Sequence, residues 1–199
     1  MKQYQKLAAL FLIGLLCFSL AGCDKQKTET IGGVDPSVPQ KVLVTMENGK
    51  TFTIETAPQY APETVKNFLT LVDSGFYNGL TFHRIIDGFM AQGGDPNGDG
   101  TGGSEKTIKG EFSANGFRQN TLTHERGVVS MARSSAPDSA SSQFFICYES
   151  APHLDGNYAA FGRVIAGMDT VDDFLKTPRD NNDKPHTPIV IATMEIVKE

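Results

Sequence analysis

The chain has 199 residues, 39% hydrophobic and 21% charged, with 18 Lys and Arg against 23 Asp and Glu for a net charge of -5. A chain this long can bury about 70% of its unfolded surface in a single core without crosslinks, which excludes a disordered polypeptide and a small disulfide scaffold. No cluster of Lys and Arg meets the demands of a phosphate backbone, so no nucleic-acid partner is expected.

Lys2 and Lys6 precede an apolar run over 7–21, which is shorter than the roughly 20 residues needed to span a bilayer and has the pattern of a secretory signal peptide. It ends in Leu20-Ala21-Gly22-Cys23, which resembles the lipobox of bacterial lipoproteins, whose cysteine is lipidated and becomes the first mature residue. Residues 1–22 are therefore expected to be a lipoprotein signal peptide and Cys23 the lipidation site, anchoring the protein in the cell membrane on its extracytoplasmic face. Cleavage leaves 16 Lys and Arg against 23 acids, a charge of -7. Cys147 is then left without a disulfide partner and is expected to lie unreactive in a strand. Residues 24–40 are polar, with Gly32, Gly33, Pro36 and Pro39, and read with Cys23 as a flexible tether (23–40) before a domain at 41–199.

Residues 41–46 and 51–55 are β-rich runs around Glu47-Asn48-Gly49-Lys50, where Asn-Gly favours a type I′ hairpin. Pro62 stands at a first helical position, Val65, Phe68, Leu69 and Val72 fall at i, i+3, i+4 and i+7, and Gly75 supplies the stop. Short strands follow at 81–86, 90–92, 128–132, 143–148, 159–165 and 189–197, a spacing that favours a closed antiparallel β structure. Met168, Val171, Phe174 and Leu175 predict one more helix.

Several patterns lead nowhere. Asp95-Pro96-Asn97-Gly98-Asp99-Gly100 begins like an EF-hand loop, but position twelve is Lys106 and neither flank reads as a helix. Gly98, Gly100 and Gly103 match a dinucleotide motif without the helix that would make it work. His83, His124, His153 and His186 lack paired metal spacing, so no metal and no cofactor is expected. The serines at 134, 135, 139, 141 and 142 have no nucleophile elbow and read as loop residues.

The stretch 82–95 differs in kind. Alternation from Phe82 puts Arg84 and Ile86 on the same face, and a cation on an otherwise apolar face implies a buried ion pair or a ligand. Phe82-His83-Arg84-Ile85-Ile86-Asp87-Gly88-Phe89-Met90-Ala91-Gln92-Gly93-Gly94-Asp95 resembles the signature of the cyclophilin family of peptidyl-prolyl cis-trans isomerases. Gly127-Val128-Val129-Ser130-Met131-Ala132, Ser142-Gln143-Phe144-Phe145-Ile146, Leu154-Asp155-Gly156 and Phe161-Gly162-Arg163-Val164 follow the family's later blocks in order. The resemblance covers about 41–199. It implies a mostly β fold, a closed eight-stranded antiparallel barrel capped by two α-helices.

It also implies an isomerase of X-Pro bonds in exported or surface chains, with a proline-binding chaperone of little turnover as the rival. By resemblance Arg84 is the catalytic donor, with Phe89 and Gln92 beside it. Met90, Phe145 and Leu154 join Phe89 in the proline pocket, and Phe144 is left to the core. Gln92 and Gln143 hold substrate backbone or orient Arg84, Ala132 and Arg133 line the groove and offer main-chain groups, and Tyr158 stands where eukaryotic members carry His. His83 is read as a structural contact on the opposite face from Arg84. Family members with Trp before the Leu154 position differ from this chain, which has His153 and no Trp, so weak cyclosporin binding is expected. Arg133, where Asn is usual, predicts tolerance for acidic residues next to proline. The expected partners are X-Pro segments and the membrane, and the expected state is a monomer.

Overall fold

The computed structural model describes residues 30–198, so the expected signal peptide (1–22) and Cys23 lie outside it. Eight strands, β1 (Lys41–Met46), β2 (Thr51–Thr56), β3 (Thr81–Ile86), β4 (Met90–Asp95), β5 (Val128–Met131), β6 (Phe144–Cys147), β7 (Ala160–Ala166) and β8 (Ile189–Ile196), close into an antiparallel barrel ordered β1-β2-β7-β5-β6-β4-β3-β8. Helix α1 (Pro62–Asp73) buries Val65, Phe68, Leu69 and Val72, the positions its period predicts. Helix α2 (Met168–Asp172) runs on as a 3-10 turn, Asp173–Lys176. No helix among the described residues is long and apolar enough to cross a membrane.

Aromatic rings fill the interior because a small barrel encloses a packed core and not a pore. Phe68 of α1 meets Phe161 at 4.9 Å and Phe144 at 5.8 Å, while Phe82 meets Phe174 of the 3-10 turn at 4.9 Å. Pleating divides β6 between two clusters, with Phe144 and Ile146 in the core and Phe145 and Cys147 in a second cluster with Met90, Ala151 and Leu154. All four β6 residues are buried, so both faces of this strand are covered.

Three expectations need correction. The hairpin after β1 is not type I′, since only Gly49 has positive φ (80°) and Asn48 does not. The Gly49 N–H donates to Met46 O and the Met46 N–H to Lys50 O, the bonding of a three-residue loop with a left-handed glycine. Asn48 instead accepts the Lys50 N–H through its side chain. Secondly, the strict alternation expected in β3 is broken by register shifts around His83, so Phe82 enters the core while Arg84 stays exposed and Ile86 packs on the outer cluster. Thirdly, packing against the domain begins before Lys41: Ile31 is buried in the core cluster, and Gln40 and Thr56 exchange hydrogen bonds.

Candidate active site

The turn after β3 is tight, with Gly88 at φ 68° and the Phe89 N–H on Ile86 O, and it sets Phe89 at the edge of a groove on the outer barrel wall. Across β3 and β4, Arg84 pairs with Gln92, which brings their side chains together. Arg84 Nη1 donates to Gln92 Oε1 at 3.4 Å, Gln92 Nε2 donates to Gln143 Oε1 at 2.8 Å, and Gln143 Nε2 donates to Gly102 O at 2.7 Å and Gly100 O at 3.1 Å. Arg84 has no carboxylate partner among the described residues, so the ion-pair explanation for its charge falls away.

Beside the guanidinium lies a cavity of about 220 Å³ lined by Arg84, Phe89, Met90, Gln92, Ala132, Arg133, Phe145, Leu154 and Tyr158. Nine of the ten groove residues singled out in the sequence therefore meet in one place, and Gln143 joins them through Gln92. A neighbouring polar cavity of about 200 Å³ shares Gln92, Ala132 and Arg133 with it. A larger depression of about 300 Å³ near Phe174 and Pro188 contains none of these residues.

Two groove residues are committed differently from expectation. The Ala132 N–H already donates to Gln143 O at 2.9 Å. Arg133 donates to the carbonyls of Asn157, Ser134 and Ser135, with its guanidinium against the Phe112 and Tyr158 rings.

Behind Phe145 is a network that sequence reasoning missed. The His124 ring stacks on Phe145 at 6.0 Å and 16°. Asp155 Oδ1 lies 2.8 Å from His124 Nδ1, and His124 Nε2 lies 2.9 Å from Ser130 Oγ. An ionised carboxylate only accepts, so Nδ1–H donates to it and Nε2 takes the Ser130 proton. Burial keeps the imidazole neutral by lowering its pKa, against the pull of Asp155. The order Asp-His-Ser is that of a hydrolytic triad, but Ser130 is fully buried and the chain serves as a backing for Phe145. The one signal in the sequence was Asp155 within the Leu154-Asp155-Gly156 block.

The remaining candidates are structural. The Asp95 carboxylate accepts the N–H groups of Asn97, Asp99 and Gly100, which organises the glycine-rich loop. His83 is buried near Gly100 with neither ring nitrogen hydrogen-bonded, and burial lowers its pKa. Ser142 is buried and donates to Gly94 O, a strut and not a loop residue in solvent. Cys147 is buried in β6, its thiol pushed up to about 12 by desolvation, far from a reactive thiolate. Among the described residues no group of three or more His, Cys, Asp or Glu is arranged to hold a metal.

Residues 41–196 match the family described as cyclophilin type peptidyl-prolyl cis-trans isomerase/CLD. Peptidyl-prolyl cis-trans isomerase B of Bacillus subtilis is 48% identical over 124 residues, 62% of this chain and 82% of that protein. Peptidyl-prolyl cis-trans isomerase-like 1 of Neurospora crassa is 43% identical over 149 residues, 75% of this chain and 90% of that protein. A crystal structure of a Cryptosporidium parvum cyclophilin type peptidyl-prolyl cis-trans isomerase in the presence of the dipeptide Ala-Pro superposes with a TM-score of 0.72 at 36% identity, covering 80% of this chain and 100% of that one.

Proposed function

This chain belongs to the cyclophilin-type peptidyl-prolyl cis-trans isomerase family and is a peptidyl-prolyl cis-trans isomerase, and on that premise we propose that it isomerises X-Pro bonds of exported or surface polypeptides in the groove around Arg84. Arg84, Phe89 and Gln92 are its catalytic residues in this reading. Met90, Ala132, Gln143, Phe145, Leu154 and Tyr158 hold the peptide. The observation that carries it is an exposed guanidinium, without a carboxylate partner among the described residues, at the edge of a pocket walled in part by Phe89, Met90, Phe145 and Leu154.

Amide rotation breaks no σ bond. Its barrier of about 18–20 kcal/mol comes from resonance between the prolyl nitrogen and the carbonyl. As the amide twists, the lone pair returns to nitrogen, and a donor aimed there binds the transition state better than either planar isomer. Arg84 can act in this way because its guanidinium never loses charge and has N–H groups to spare beyond the single bond to Gln92. Phe89, Met90, Phe145 and Leu154 offer apolar walls to a pyrrolidine ring and exclude competing water.

The test is cis-trans exchange of a short X-Pro peptide measured by NMR with the full chain in detergent, wild type beside Arg84→Ala. A loss of kcat of about 100-fold or more with an unchanged circular dichroism spectrum is expected. Equal rates in the two proteins would remove Arg84 from the mechanism.

The cellular setting is part of the same proposal. Leu20-Ala21-Gly22-Cys23 after an apolar run supports a lipid on Cys23, a membrane location and an extracytoplasmic domain. Uncatalysed isomerisation is slow enough to limit folding, so an isomerase displayed where chains emerge meets its substrates there. Mass spectrometry of the mature N terminus should find a lipidated Cys23, and Cys23→Ser should release the protein from membranes. An unmodified N terminus elsewhere in the chain would refute the anchor.

A further inference from the structure

Arg133 follows directly after β5 and Ala132, and its half-buried side chain crosses to the segment that carries Tyr158. Nε and Nη2 both donate to Asn157 O, at 3.1 and 2.8 Å, while Nη1 donates to Ser134 O at 2.9 Å and reaches Ser135 O at 3.4 Å. The guanidinium carbon is 4.6 Å from the centre of the Tyr158 ring and 5.0 Å from that of Phe112. Tyr158 in turn stands edge-on to Phe145, 5.9 Å away at 82°. A planar cation thus fills the space between two rings and ties the 133–135 turn to the 155–158 segment.

We propose that Arg133 is a positioning residue that acts through Tyr158: it holds that ring upright against Phe145 and so sets the shape of the apolar pocket. The inference rests on reading this groove as the X-Pro site. It differs from the expectation drawn from charge alone, in which Arg133 attracts acidic residues beside proline. Four of its five N–H groups go to three backbone carbonyls, and the guanidinium lies against aromatic rings. Lysine can replace the charge, but it supplies neither the fork that grips one carbonyl twice nor a flat face for Tyr158.

The pocket wall touches the substrate equally in its planar and twisted forms, so its loss acts on uniform binding. Arg133→Lys should therefore raise KM about tenfold with kcat within about twofold of wild type, much as Arg133→Ala does. Tyr158→Ala should raise KM similarly, and Arg133→Ala added to it should change little, because the path from Arg133 to the pocket is already cut. With 3-fluorotyrosine incorporated, the ¹⁹F resonance of Tyr158 should shift in Arg133→Lys. A wild-type KM in Arg133→Lys, additive effects in the double variant, or a preference for Glu over Lys beside proline that is lost in Arg133→Ala and kept in Arg133→Lys would each overturn the inference. An unchanged KM in Tyr158→Ala together with an unchanged kcat in Arg84→Ala would overturn the groove reading itself, and this inference with it.

Discussion

Arg84 Nη1 stands 3.4 Å from Gln92 Oε1, whereas Gln92 Nε2 and Gln143 Oε1 are 2.8 Å apart. The chain is tight where it is fastened to the glycine-rich loop and slack where it meets the guanidinium. Arg84 is aimed by this arrangement yet remains able to move onto a twisted amide. Gln143→Leu would leave Gln92 Nε2 and the carbonyls of Gly100 and Gly102 without their partner. A roughly tenfold fall in kcat/KM, mostly in kcat, is expected in NMR exchange measurements. A wild-type kcat would rule out the relay.

Glu111 is buried and caps α1 from outside the helix. Its two carboxylate oxygens accept the N–H groups of Glu63 at 3.1 Å and Thr64 at 2.8 Å, and the Thr64 hydroxyl at 2.7 Å. A negative group at a helix N terminus satisfies orphan donors and meets the positive end of the helix dipole. Glu111→Ala should cost about 2–3 kcal/mol of stability in denaturant unfolding and Glu111→Gln about 1 kcal/mol. Equal stability of Glu111→Ala and wild type would show that α1 holds its first turn without this cap.

Acid should weaken the fold in two stages. Burial holds the pKa of both His83 and His124 below the ordinary 6.5. Below that pH the unfolded chain takes up protons that the native state refuses, so stability falls as pH falls, until the folded-state values are passed. Asp99, held low by the Thr101 hydroxyl, and Asp138, held low by the Gly110 N–H, lose their contribution only as pH falls through 3.8 and beyond. The thermal midpoint between roughly pH 6.5 and 5 therefore reports the histidines. His83 makes no hydrogen bond, so His83→Leu should keep the stability seen at neutral pH and flatten part of this decline. An unaltered slope in that variant would exclude His83 from the effect.

His153 is exposed and lies 5.5 Å from the Phe89 ring at the edge of the groove. Weak cyclosporin binding is proposed for this chain, and His153→Trp adds a large apolar face there. Calorimetry should find affinity for cyclosporin raised about tenfold with isomerase turnover within about twofold of wild type. No gain in affinity would place the weakness elsewhere in the groove.

Local periodicity made the strands and α1 readable, because whether a residue faces inward in a strand or helix depends on spacing along the chain. The buried Val65, Phe68, Leu69 and Val72 of α1 follow that rule, whereas the inward Phe144 and the outward Phe145 were implied by the family resemblance. The ordered motif blocks carried the barrel and the list of groove residues. The rule stopped at His83, where a bulge turned Phe82 inward, and at Asn48, where a left-handed Gly49 alone closes the loop.

The contacts of Glu111 with α1, of Asp155 with His124 and of Arg133 with Tyr158 had no local signature. Glu111 and Thr64 are 47 positions apart in the chain, and His124 and Asp155 are 31 apart. Such pairs exist only once the barrel closes, when a buried polar group must take whichever partner the packing brings within reach. Ile31 was hidden for the same reason: an apolar residue in a polar, Gly- and Pro-broken segment announces no element, and only the surface it lands on determines that it is buried. The sequence by itself determined the elements and the residue types that meet in the groove. The tertiary structure decided which donors are already spent and which, at Arg84, remain free for a substrate.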